Sequence, residues 1–117
     1  MKILVACHAG ICRSNAMARE LKRYGDDVIV AGLGYNAPET IHMLADWADK
    51  IVVLQSELVD LVPADSREKV VVGDVGPDVW QDPSNLDLVA RVKVIVDSWK
   101  KKGGWAFEHV SLRPKSR

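Results

Sequence analysis

The chain has only two cysteines, Cys7 and Cys12, in 117 residues. That count excludes the multi-bridge framework of a small secreted domain. A four-ligand zinc site would need His8, His42 or His109 to converge on the pair, and no metal or cofactor is expected. An excess of either charge is also missing: 16 basic and 16 acidic side chains cancel. No global field therefore draws the chain to nucleic acid or to an anionic membrane, and any anion site has to be local. Long hydrophobic runs are absent too. Nothing approaches the ~20 apolar residues that span a bilayer, and "MKILVAC" lacks the length and flanks of a signal peptide. The expectation is a soluble cytoplasmic protein with one core, the chain being too short for two.

What is present is a set of short apolar runs rich in Val and Ile, at Ile3 to Ala6, Val28 to Ala31, Ile51 to Leu54 and Val70 to Val72. They do not alternate, as befits strands buried on both faces. Between them the period becomes helical. Met17, Leu21 and Tyr24 form one stripe, with Gly25 as its stop. Pro38 opens a second helix with Ile41, Leu44 and Ala48 inside. A short turn is expected from Ser56 to Leu61. In a third helix Leu88, Val92, Ile95 and Trp99 line up, with Asp87 at the start, Lys100 to Lys102 at the end and Gly103 and Gly104 as the stop. Its "VKVIV" also has strand character. Strand and helix in alternation predict an α/β domain with a parallel sheet and helices on both faces. The domain is read as residues 1–104. Residues 105–117 are read as a tail, packed at Trp105 and Phe107 and basic at its end.

Ligands of such a sheet bind beyond the carboxyl ends of its strands, where Cys7 ends the first one. The following loop, His8, Ala9, Gly10, Ile11 and Cys12, leads straight into a helix starting near Arg13. Its backbone N–H groups, those of residues 8 to 13, can converge on an anion at a helix N-terminus. The same donors stabilise a thiolate, which makes Cys7 a candidate nucleophile. Arg13 offers a planar fork for two phosphate oxygens, and the Ser14 hydroxyl can donate to the sulfur. The plainer reading keeps both cysteines as small buried apolar residues.

"ILVACHAGICRS" resembles the signature of the low-molecular-weight protein tyrosine phosphatases, C-x5-R-[ST] directly after the first strand, with the family's second cysteine at Cys12. The resemblance implies a three-layer fold with a four-stranded parallel flavodoxin-like sheet. It also implies a metal-independent phosphatase working through a phosphocysteine, with an aspartate general acid on a downstream loop. The substrate would be a phosphorylated one, a phosphotyrosine or a small aryl phosphate. The acid lies in "GDVGPDVWQDPSNLDL". Asp82 matches the family's Asp-Pro pair by letters, whereas Asp78 matches by its place before the last helix and its flanking Pro77 and Trp80; Asp78 is preferred, with Asp82 as runner-up. Asp74 is read as a turn former. Trp80 is either a wall for the leaving group, as the family's aromatic is, or an anchor of the loop. His8 is either a substrate contact or simply exposed. Trp47 and Trp99 are read as core, the glycines of "GLGYN" (Gly32 to Asn36) as a turn, and His42 and His109 are assigned nothing.

Three departures stand out. Gly10 replaces an asparagine whose side chain braces the family's loop, the segment between the first helix and the second strand is short, and only one aromatic follows the acid. Alternatives are a small-thiol-coupled arsenate reductase, a phosphocysteine carrier and a non-catalytic module that binds an anion or partner. Cys7 and Cys12 on one tight loop also suggest a reversible disulfide that guards the nucleophile. The oligomeric state is not legible.

Overall fold

The computed structural model describes residues 1–101 and 104–114. The helix stop placed at Gly103, Lys102 before it, and the basic end of the tail lie outside the described residues. Strands β1 (Lys2–Cys7), β2 (Asp27–Gly32), β3 (Lys50–Val53) and β4 (Val70–Asp74) cover the four apolar runs. Helices α1 (Arg13–Lys22), α2 (Pro38–Trp47) and α3 (Leu86–Trp99) lie between or after them. The helical reading of "VKVIV" is the one realised. Two 3₁₀ helices follow β3, one at Ser56–Leu61 as expected and a second at Ala64–Lys69.

The sheet has five parallel strands rather than four. Its order is β2-β1-β3-β4-β7, the last being Val110–Ser111 from the tail, while β5 (Lys100–Lys101) and β6 (Gly104–Trp105) form a separate antiparallel pair. A two-residue ladder needs no β-rich run, so nothing in the tail's composition announced it. The boundary expected after residue 104 thus cuts through β6. The chain steps from β1 to β2 on one side and returns past β1 to β3 on the other. Right-handed crossovers then put α1 and α2 on opposite faces. Consecutive residues Ile3 to Ala6 and Ile51 to Val53 are all buried, as coverage of both faces requires.

The core gathers on the α1 and α3 side around Met17, Leu21, Leu88, Val92, Ile95 and Trp99, all with no exposed surface; α1 and α3 pack against each other. Tyr24 departs from its expected stripe: α1 ends at Lys22, Gly25 takes a left-handed φ of 88°, and Tyr24 is left 43% exposed with its ring edge-on to Trp105. Trp47 is half-buried against the core.

The tail is fastened to this core. Trp99 donates its indole N–H to the Glu108 carbonyl at 2.7 Å and meets the Phe107 ring at 5.3 Å, and Phe107 stacks on Trp105. His109, which carried no sequence signal, accepts the Val72 N–H at Nδ1 (2.9 Å), and the Leu112 N–H reaches the Asp74 carbonyl (2.7 Å). Trp99→Ala is expected to remove about 3–5 kcal/mol of stability, the usual cost of truncating a fully buried tryptophan. Urea unfolding would show this as a lower midpoint at similar slope, and a loss under about 1 kcal/mol would contradict its place as the joint between tail and core.

Candidate active site

Cys7 ends β1 level with Gly32 of β2. The chain departs β1 to one side and returns on the other, so this end of β1 is the switch point of the sheet, where ligands of such sheets bind. The Cys7 sulfur is buried. It lies 3.1 Å from the Ser14 Oγ and accepts the Gly10 N–H at 3.2 Å. As a thiol it donates to Ser14; as a thiolate it accepts from the Ser14 hydroxyl, which turns to suit. Helix α1 begins at Arg13, with neither a side-chain cap nor an acidic residue in its first turn. Its N-terminal donors are left for something else.

Arg13 is 2% exposed, and its Nη1 donates to the Gln55 Oε1 and the Gly76 carbonyl, both at 2.7 Å. Its Nε is buried with no partner among the described residues. A buried guanidinium donor without an acceptor is costly. An anion against that edge of the fork removes the cost, and phosphate matches its geometry.

The loop is tight because glycine meets glycine. Gly10 has φ 73°, and a Cβ there would stand 2.7 Å from the Gly32 nitrogen; a Cβ on Gly32 would stand 2.4 Å from the Ala9 oxygen. Leu33 and Gly34 donate their N–H groups to the carbonyls of Cys7 and His8 at 2.9 Å. "GLGYN" is therefore the bracket of the loop and more than a turn. The bracing that Gly10 cannot offer comes from two asparagines absent from the sequence-based candidates. Asn15 donates through Nδ2 to the carbonyls of Gly10 and Ile11, and Asn36 accepts the Gly32 N–H at 2.7 Å. Their only sequence signal was position beside the loop and at the end of the turn. His8 is exposed, and its ring meets Tyr35 edge-on at 5.3 Å.

The two candidate acids part company here. Asp78 is exposed, and its carboxylate stands beside the Cys12 thiol; burial first, then Asp78, then Cys7, push that thiol up to about 11. Cys12 is thus held as a neutral thiol at physiological pH. Asp82 instead accepts the Ser84 N–H at 2.7 Å, and its carbonyl takes the Asn85 N–H, just before α3. Asn85 caps that helix by accepting from Asp87 and Leu88. Trp80 is 5% exposed, covered by the Arg91 guanidinium 5.7 Å from its ring. Its burial makes it the anchor of the loop, in place of an open wall. Exposed apolar side chains here include Val79 next to Asp78, Ile11 on the loop and Tyr35 beside His8.

Asp74 does form the expected turn, accepting the Gly76 N–H at 2.7 Å. It is also the buried half of an ion pair. Arg113 donates Nε to Oδ1 at 2.9 Å and Nη2 to Oδ2 at 2.8 Å, and the Ser56 N–H reaches Oδ2 at 2.9 Å. Burial alone would raise the Asp74 pKa, but Arg113 and the amides of Ser56 and Gly76 outweigh it and hold the carboxyl below its usual value. Among the described residues no group of three or more His, Cys, Asp or Glu could hold a metal ion.

Searches of solved structures find this architecture repeatedly. Wzb of Vibrio vulnificus, solved with benzylphosphonate, superposes with a TM-score of 0.69 at 17% identity, covering 84% of this chain and 95% of that one. The low-molecular-weight phosphotyrosine phosphatase VcLMWPTP-2 of Vibrio cholerae O395 gives 0.57 at 18% identity, over 88% and 99%. The chain has the fold of the low-molecular-weight tyrosine phosphatases. The YwlE arginine phosphatase of Geobacillus stearothermophilus shares it, with a TM-score of 0.60 at 15% identity over 83% and 91%. No sequence-family model and no curated protein sequence matches the chain.

The position of Asp78 beside the loop can be read from Cys12. In Cys7→Ser, alkylation of Cys12 should stay slow through neutral pH and rise toward about 11. Adding Asp78→Asn removes a negative charge that opposes ionisation, so the profile should move to lower pH. An unmoved profile would place Asp78 away from the loop.

Proposed function

We propose that the protein hydrolyses phosphate monoesters through a phosphocysteine intermediate. The observation that carries this is the buried Arg13 with an unpartnered Nε, at the base of a loop whose first residue is a cysteine with two hydrogen-bonding groups on its sulfur. The phosphoryl oxygens sit on the Arg13 fork and on the backbone amides of residues 8 to 13. There, donors fixed in advance stabilise charge that spreads in the transition state. The Cys7 thiolate attacks phosphorus as the ester oxygen leaves with a proton from Asp78. In the second step the Asp78 carboxylate takes a proton from water, which attacks the phosphocysteine. The Ser14 hydroxyl donates to the departing sulfur.

An aryl phosphate suits the apolar Ile11 and Val79 at the mouth, and the fold neighbours include phosphatases named for tyrosine and for arginine. The absence of any cysteine beyond Cys12 speaks against a reductase that passes electrons through a third thiol, and Arg13 speaks against a carrier. Two free thiols in one site fit a reducing compartment, the cytoplasm. No helix among the described residues is long and apolar enough to cross a membrane.

Cys7→Ser should abolish hydrolysis of an aryl phosphate with the fold intact. Asp78→Asn should slow it by about 10²–10⁴, while Asp82→Asn stays close to wild type. Loss in Asp82→Asn with activity kept in Asp78→Asn would transfer the acid.

Cys12 adds a redox guard to this site. Peroxide converts the Cys7 thiolate to sulfenic acid, and Cys12 displaces water from it to close a disulfide that a thiol reductant reopens. Intact mass after limited peroxide should show the loss of two hydrogens before any sulfinic acid; the reverse order would remove Cys12 from that role.

A further inference from the structure

We propose that Arg113, in the tail, is a positioning residue for Arg13. Two hydrogen-bonded arms leave the Arg113 guanidinium, and both end on the Nη1 of Arg13. The first runs through Asp74. Arg113 grips both carboxylate oxygens, at 2.9 and 2.8 Å; Oδ1 also takes the Gly76 N–H at 2.7 Å, and the Gly76 carbonyl accepts from Arg13 at 2.7 Å. The Arg113 stem lies over the same residue: a Cβ on Gly76 would stand 3.3 Å from the Arg113 Cγ. Gly76 holds φ 79°, a left-handed conformation that glycine adopts without strain.

The second arm runs through Glu57. Arg113 Nη2 contacts Glu57 Oε1 and donates to the Ser56 Oγ at 3.0 Å. Glu57 Oε2 accepts the Gln55 Nε2 at 2.8 Å, which turns the Gln55 amide so that its Oε1 accepts from Arg13 at 2.7 Å. Both acceptors that aim Arg13 are thus aimed by Arg113. Without that fork, Asp74 is a buried carboxylate lacking its cation, with Glu57 close by, and the Gly76 peptide and Gln55 amide lose what orients them. A planar fork is needed because Nε and Nη2 take the two Asp74 oxygens side by side while Nη2 also faces Ser56 and Glu57, and an ammonium offers one nitrogen in place of that pair. The relay also explains why a tail so far along the chain is fastened beside the phosphate loop.

The kinetic consequence rests on the phosphatase reading; the positional one does not. In Arg113→Met, which keeps the stem and loses the fork, kcat/KM for an aryl phosphate should fall about 10–100-fold, as small misplacements of a binding group do. The Arg13 Nε–H, followed by ¹⁵N–¹H NMR and assigned by its absence in Arg13→Lys, should exchange with solvent about tenfold faster, while amides at the centre of β1 keep their protection. Arg113→Lys should recover part of both. Placed in the Arg13→Lys background, Arg113→Met should add no further kinetic loss, the mark of two residues acting as one unit. Unchanged exchange of the Arg13 Nε–H, or an equal fractional loss in both backgrounds, would overturn the relay. Should Arg113→Met fail to fold, Glu57→Ala cuts the second arm alone. It should give a smaller change in the same readouts, and no change in exchange would overturn that arm. If wild type does not hydrolyse aryl phosphates, the phosphatase reading fails while the exchange measurement still decides the relay.

Discussion

A guanidinium buried at the end of a parallel sheet is the constraint on which the site depends. Removing a cation from water costs several kcal/mol unless its donors are satisfied. Arg13 meets the requirement halfway: Nη1 has two neutral oxygens, and Nε has nothing among the described residues. The neighbours of Arg13 come from the loops after β3 and β4, so the carboxyl ends of those strands are bound to the start of α1 through one side chain. Gln55 and Gly76 hold one edge of this fork, and its Nε edge is the one left without a protein acceptor among the described residues.

The backbone supplies the other half of the cradle, and it does so by subtraction. Cβ atoms at Gly10 and Gly32 would collide with each other's strand or loop. The loop after β1 can therefore lie against the end of β2 and be held by the amides of Leu33 and Gly34. Where related loops use an asparagine side chain within the cradle, this chain uses Asn15 from the helix and Asn36 from the bracket. The Cys7 sulfur then has fixed surroundings, and the two cysteines differ in environment. Cys12 sits beside the Asp78 carboxylate and stays protonated, whereas Cys7 sits among donors.

Much of this was legible in the residues. Strand runs buried on both faces carry a period that survives any context, and a cysteine, a glycine and an Arg-Ser pair between a strand and a helix specify a loop before its shape is known. What failed to show had a common cause, namely interactions between residues far apart in the chain. Val110–Ser111 joins the sheet by two residues only, and no propensity marks it. Arg113 looks like an ordinary basic residue of a tail, and its partners are Ser56, Glu57 and Asp74. Trp80 could be assigned to wall or anchor only once Arg91 was seen above it. Asp82 and Asp78 are four positions apart, but the turn before α3 occupies one and the loop's second thiol adjoins the other.

The most direct test of this account is to mix the wild-type protein with an aryl phosphate, quench in acid within a single turnover, and search the fragments by mass spectrometry for a phosphoryl group. A phosphoryl group on Cys7 that forms with product release and then decays is the predicted result. Product formed with no phosphorylated residue, or with the phosphoryl group on another side chain, would contradict it.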